Sequence, residues 1–234
     1  MKSYESALKE VSCQITSNFA SGAVYTLFEE NRKPSALDTI GYIGLAVLGY
    51  LVGSFPSGVV LSKYKFRIDV REMGSGNIGA TNVTRVFGWG AGILTLATDF
   101  LKSFLPLYLL SDLYPGSPWL TTSTGISLVI GHCFSAFLGL KGGKGVATSL
   151  GCVAVVAPWL AVGATAVYIV LLAIYKISAL GSLGGVAVAV GYLAVVQPSW
   201  SVATLVLALI GVVLFRHWSN IQRLFKATKE GERS

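Results

Sequence analysis

From Val146 to Phe215 the chain carries a single charged side chain, Lys176, which divides two apolar runs, Val146–Tyr175 and Ile177–Phe215. Each run exceeds the ~20 residues that cross the hydrocarbon layer of a bilayer. A backbone in lipid finds no water, so it must satisfy its own N–H and C=O groups, and only helices or closed barrels do so. A barrel needs segments of about ten residues that alternate apolar and polar side chains, and these runs do not alternate. The reading is an all-α, polytopic membrane bundle. Composition agrees, with 53% of the 234 residues hydrophobic and 12% charged, against about a quarter charged in soluble domains.

Apolar windows place spans near Thr39–Ser62, Gly90–Leu110, Trp119–Leu140, Val146–Ala157, Pro158–Tyr175, Ser178–Val196 and Trp200–Phe215. That makes about seven transmembrane helices, with the Val146 segment short. The division at Ala157-Pro158 rests on the missing proline N–H and on charge placement. With both pieces crossing, Lys63, Lys65, Arg67, Arg71 and Arg85 share a side with Lys141, Lys144, Lys176 and the basic tail from Arg216 to Lys229. The opposite loops, around Ser111–Pro118, Ala157-Pro158 and Gln197-Pro198, hold no Lys or Arg. A single crossing would move Lys176 and the tail outside, against the positive-inside rule. The expected topology therefore has the amino terminus outside and the carboxyl terminus in the cytoplasm. On this reading the net charge of +7 belongs to cytoplasmic loops, not to a nucleic-acid surface.

Residues 1–39 contain no compact basic region leading into an apolar core, so no cleaved signal peptide is expected. They form an amino-terminal extension, followed by a membrane domain at 40–225 and a charged tail at 226–234. Cys13, Cys133 and Cys152 are odd in number and lack C-x-x-C spacing, which indicates packing and neither a disulfide framework nor zinc. The small residues around Gly181, Gly184 and Gly185 suit close helix approach. Asp99 and Lys102 share one helix face and are expected to pair. Their pairing fits a proton relay or substrate contact, and equally an ion pair that fixes helix position.

Four polar, glycine-rich or basic stretches fall on one side: GSGNIGATNVTR from Gly74, GHCFSAFLGLKGGKGVAT from Gly131, SALGSL from Ser178 and RHWSNIQRL from Arg216. Glycine-freed amides form concave anion nests, and cations add charge-assisted bonds to phosphate oxygens. The expected phosphate contacts are Gly74, Gly76, Asn77, Thr81 and Asn82 in the first stretch, and Lys141, Gly142, Gly143, Lys144 and Gly145 in the second. Ser75 is expected to act as a hydrogen-bond donor. No histidine and acid partner can be placed beside it, and Met73 breaks the G-x-S-x-G pattern. His217 is a candidate ligand contact with Asn220 three residues on, whereas His132 reads as a packed histidine bridging helices. Neither histidine has ligand-spaced partners, so no metal is expected.

Two soluble readings fail. GSGNIG matches G-x-G-x-x-G, but no strand precedes it and no βαβ unit surrounds it. KGGKG is no P-loop, because Leu138 stands where the first glycine belongs and Gly145 where Ser or Thr belongs.

The three longer stretches, in order and spacing, resemble the motifs of the bacterial acyl-phosphate:glycerol-3-phosphate acyltransferases, the PlsY family, over about Gly41 to Arg223. The resemblance implies transfer of a fatty acyl group from acyl phosphate to the 1-hydroxyl of glycerol 3-phosphate, giving lysophosphatidate and phosphate in the bacterial inner membrane. It carries the family's functional serine and arginine onto Ser75 and Arg85, its loop lysine onto Lys144, a further serine onto Ser182, and its histidine and asparagine onto His217 and Asn220. The expected partners are acyl phosphate, glycerol 3-phosphate and membrane lipid, with no cofactor. The chain departs from the family at Ser219, usually glutamate, and at Ser135, usually proline. The H-x-x-x-x-D pair of other glycerol-3-phosphate acyltransferases is absent, since Phe137 and Gln222 stand at that spacing from His132 and His217. The rival class is a transporter of a phosphorylated metabolite. The lack of an internal repeat and the gathering of polar residues at one face favour the enzyme.

Overall fold

The computed structural model describes residues 36–231, and the regular structure among them is helical throughout. The long elements are α1 (Ala36–Ser54), α2 (Ser57–Phe66), α3 (Ala80–Phe87), α4 (Trp89–Leu113), α5 (Pro118–Cys133), α6 (Val146–Val156), α7 (Pro158–Tyr175), α8 (Ser178–Val196) and α9 (Trp200–Gly231). Six stretches are long and apolar enough to cross a membrane, and α6 is a shorter apolar helix. The membrane bundle expected from the apolar runs is the observed fold. Residues 1–35 of the amino-terminal extension, with Cys13, and the last three residues of the charged tail lie outside the described residues.

The first span is not one uninterrupted helix from Thr39 to Ser62. Pro56 lacks the N–H that would continue the ladder and biases Phe55 away from helix, so α1 stops at Ser54 and α2 restarts at Ser57 within one crossing from Thr39 to Phe66. The third span ends at Cys133, short of the expected Leu140. Beyond it Gly139 and Leu140 adopt positive φ of 59° and 62°, and the chain folds back. As a result α6 starts inside the bundle, where 11 residues, ~16 Å of helix, serve in place of a full crossing.

One feature of the polar stretches was hidden in the sequence, and another agrees with the helical spacing read for His217 and Asn220. The second half of GSGNIGATNVTR is helix α3, held between Gly79 and Gly88, with Asn82 and Val83 buried and Thr81 and Arg85 exposed. RHWSNIQRL is a straight continuation of α9, whose 32 residues run well past Phe215.

The main core lies where α4, α5, α6 and α9 meet, around Leu107, Leu128, Val129, Cys133, Cys152, Leu205 and Val206. The two described cysteines are free and buried there, as packing residues. The backbones of α1 and α5 touch: a Cβ on Gly53 would lie 2.0 Å from the Leu128 carbonyl oxygen, and one on Gly131 2.1 Å from that of Tyr50. This is the small-residue contact that substitutes for hydrophobic driving force in lipid. A satellite cluster of Val59, Val70, Ile78, Val83 and Ala91 seats α3 and the loop before it. Exposed aromatics form two belts, Tyr64, Trp89 and Trp218 at the end bearing the polar stretches, and Trp119, Trp159 and Trp200 at the other.

Candidate active site

The loop from Asp69 to Gly79 is organised by one side chain. Buried Asn82 donates its amide hydrogens toward the carbonyls of Val70 (3.2 Å), Met73 (3.0 Å) and Asn77 (2.9 Å) and accepts the Ser75 N–H at 2.8 Å. Gly74 and Gly76, at φ 59° and 70°, supply the left-handed turns that present Ser75 between them. Asp69 caps the preceding turn and is gripped by Arg71, at 2.6 Å, and Lys63, at 3.0 Å. The Arg71 hydrogen bond foremost, and Lys63, hold its carboxyl well below the usual carboxylate range. Asn77 Oδ1 accepts from Gly79 N at 2.9 Å, and Thr81 Oγ1 lies 3.0 Å from Ser178 Oγ on α8. The polar groups of Asn82 are thus taken up by the loop itself, which makes it a scaffold for Ser75, whereas sequence grouped it with the phosphate contacts.

The glycine loop has a different reason for its glycines from the one expected. A Cβ on Gly142 would lie 2.1 Å from the His132 carbonyl oxygen, and one on Gly143 2.1 Å from His132 Nε2. Side chains are excluded because the loop rests on the end of α5. The Gly143 N–H donates to the His132 carbonyl at 3.0 Å, so that amide is not free for an oxyanion. The carbonyls of Gly143 and Gly142 accept from Arg216 Nε at 2.9 Å and Nη2 at 2.8 Å, and the guanidinium lies 5.4 Å from the Phe134 ring centroid. Arg216, which sequence placed only in a basic cluster, fastens the glycine loop to α9; two adjacent acceptors for a forked donor become visible only when the loop folds against that helix.

Lys144, the residue after the double glycine, donates to Asn220 Oδ1 at 2.6 Å. Burial, then the charges of Arg223, Arg216 and Arg85, hold its amine below the usual lysine range. Cations from α3, the glycine loop and α9 are therefore within electrostatic reach of one another. Arg85 is exposed, and its side chain makes no hydrogen bond or ion pair among the described residues. Phosphate oxygens would relieve the repulsion within such a cluster of cations. Buried His217 has Nδ1 2.9 Å from the Val213 carbonyl. A carbonyl only accepts, so Nδ1 carries the hydrogen and Nε2 of the neutral ring is an acceptor. Buried Ser182 donates to the Ser178 carbonyl one turn back, at 3.1 Å, on the helix that Thr81 reaches. Lys141 is exposed at the rim. The structure thus brings Lys144 against Asn220, one turn of α9 from His217, with Arg216, Arg223 and Arg85 close enough to act on the Lys144 charge. Among the described residues no group of His, Cys, Asp and Glu is arranged to hold a metal.

A family model described as glycerol-3-phosphate acyltransferase matches residues 43–227. The chain belongs to this family. It is 43% identical over 185 residues to the glycerol-3-phosphate acyltransferase of Myxococcus xanthus, covering 79% of this chain and 96% of that protein. To the Aquifex aeolicus protein of the same name it is 37% identical, covering 77% and 93%. The crystal structure of PlsY (YgiH), an integral membrane glycerol 3-phosphate acyltransferase, in its glycerol 3-phosphate form is similar with a TM-score of 0.75 at 36% identity, covering 80% of this chain and 93% of that one. Its lysophosphatidic acid form gives 0.73 at 34%.

In this acyltransferase the two departures from the family motifs are locally accommodated. Ser135 has φ −63°, the angle a proline would impose, and its hydroxyl donates to the Ser54 carbonyl at 2.6 Å. Ser219 is exposed on α9 and its carbonyl receives Arg223 Nε at 3.3 Å.

Proposed function

We propose that this chain transfers a fatty acyl group from acyl phosphate to the 1-hydroxyl of glycerol 3-phosphate at the cytoplasmic face of a bacterial inner membrane, within a membrane domain at about residues 40–225. The hydroxyl oxygen attacks the acyl carbon, the carbon–oxygen bond to phosphate breaks, and lysophosphatidate and phosphate are the products. The observation that carries the reading is the gathering of Arg85, Arg216 and Arg223 around Lys144, which donates to Asn220.

Acyl phosphate is an activated carbonyl with a good leaving group, so the protein must orient two phosphate-bearing substrates and neutralise charge. Arg85 and Lys144 suit the phosphate of glycerol 3-phosphate, with Asn220 steering Lys144. His217 Nε2 is an acceptor and so suits a glycerol hydroxyl. Ser75 and the neighbouring amides suit the acyl phosphate. Asp69 is ion-paired to Lys63 and Arg71 and Asp99 to Lys102; the attacking proton has two acceptors in the proposed site, His217 Nε2 and a substrate phosphate, whose second pKa of about 6 makes it a serviceable base at pH 7. The side on which the site faces follows from the Lys and Arg of the loops that bear it. Purified protein given acyl phosphate and glycerol 3-phosphate should make lysophosphatidate, and acyl-CoA should not replace the donor. Equal rates from acyl-CoA would overturn the donor assignment.

A further inference from the structure

Beneath the glycine loop lies a buried charged set that the acyl-transfer scheme does not use. Lys102 Nζ has three polar neighbours: the Phe55 carbonyl oxygen at 2.8 Å, Asp99 Oδ1 at 2.8 Å and His132 Nδ1 at 2.9 Å. An ammonium has three hydrogens and no lone pair. All three are therefore used, Nδ1 is an acceptor, and the neutral His132 ring carries its hydrogen on Nε2. The Ser57 hydroxyl closes the set by donating to Asp99 Oδ1. Pro56 makes the arrangement possible, because at the interrupted helix the Phe55 carbonyl accepts the Ser57 N–H at 3.2 Å and keeps a second lone pair for Lys102. The Lys102 and Asp99 side chains are only 6% and 3% exposed.

The Nε2 edge of that ring is the surface on which Gly143 rests, and the His132 carbonyl binds the Gly143 N–H. The next residue is Lys144. We propose that His132 is a positioning residue for acyl transfer: Ser57, Asp99 and Lys102 lock its ring in one tautomer and orientation, and its Nε2 edge sets where Gly143, and hence Lys144, stands. The inference rests on the acyl-transfer reading of the site. It explains why a neutralised ion pair lies inside a membrane bundle, where charges are expensive unless they serve a function.

Variants of Lys102 would strand the Asp99 charge in a dry interior and risk misfolding, so the test uses His132→Asn. That variant keeps an amide oxygen where Nδ1 stands and deletes Cε1 and Nε2. Expected are a cooperative melt at a moderately lower Tm, since the buried ring leaves a small cavity, and a fall in kcat/KM for glycerol 3-phosphate of about tenfold or more, within the ~10²-fold that misplacing a reacting group by 1 Å costs. Gly143→Ala should fall further, since its Cβ meets the ring. The double variant should recover about tenfold over Gly143→Ala, a rescue that a merely structural histidine does not give. Independently of turnover, nitrogen-15 histidine spectra at pH 7 should show Nε2–H for His132 and Nδ1–H for His217, and calorimetric binding of glycerol 3-phosphate should follow the same order across the variants. If wild-type protein makes no lysophosphatidate from acyl phosphate, the donor reading fails while the spectra and binding still decide this inference. An Nδ1–H or doubly protonated His132, or a double variant no better than Gly143→Ala, overturns it.

Discussion

Arg216→Lys keeps the charge on α9 and removes the fork. In the structure Nε and Nη2 bind adjacent carbonyls, Gly143 at 2.9 Å and Gly142 at 2.8 Å, and a lysine ammonium reaches one of them without spanning both. Hydrogen bonds to a charged group are worth about 1.5–3 kcal/mol each. Losing one loosens the loop by that amount at most, and a loss expressed wholly in the transition state is ~10- to 150-fold in kcat/KM. Arg216→Ala loses both bonds and the Phe134 stack, the latter worth about 0.5–1 kcal/mol at an exposed site, so it must be worse. The assay is steady-state lysophosphatidate formation with each substrate varied, alongside a thermal melt in detergent. Arg216→Lys within twofold of wild type, or Arg216→Ala equal to Arg216→Lys, would refute the clamp.

Three further outcomes follow from the same geometry. Asn82→Ala orphans three loop carbonyls and the Ser75 N–H, at about 1–3 kcal/mol for each buried group, so the Tm should drop; Asn82→Asp, which points an acceptor at those carbonyls, should drop it more. Ser75→Cys should yield no acyl-protein adduct in intact-mass spectra after incubation with acyl phosphate, and a stable thioester would instead argue for a covalent intermediate. Because burial and Arg223, Arg216 and Arg85 depress the Lys144 amine, the folded protein binds that proton less tightly than the unfolded chain. Stability from this group therefore rises with pH across the window between its folded and unfolded pKa values. Phosphate binding reverses the shift, so glycerol 3-phosphate affinity should fall as pH climbs through that window, and Lys144→Arg, which stays charged, should flatten the alkaline limb.

Much of the fold was legible because lipid imposes a rule that composition reveals: long apolar runs must be helices. The paired Asp99 and Lys102 and the buried Cys133 and Cys152 were readable for the same reason, since polar or reactive groups in such runs have few alternatives. Helix α3 was not legible. Its eight residues between two glycines are too short for a periodic signal, and Val83 is buried in one cluster with Val59 and Val70 from outside the helix. The break at Phe55-Pro56 was written in the proline, yet its use, freeing a carbonyl for Lys102, depends on a helix 47 residues further along the chain.

The candidate site divides the same way. Sequence alone determined the membrane bundle, the clustering of polar stretches at one end, and the residue types that suit phosphate, because hydropathy, charge and glycine content are properties of local segments. The tertiary structure decided which of those polar groups are already bonded to one another within the protein. Asn82 became the scaffold of the Ser75 loop, Arg216 and His132 became the two sides of a clamp on Gly142 and Gly143, and the two histidines took opposite tautomers. A hydrogen-bond partner is chosen by proximity in space, and the residues that compete for each donor here lie up to 97 positions apart.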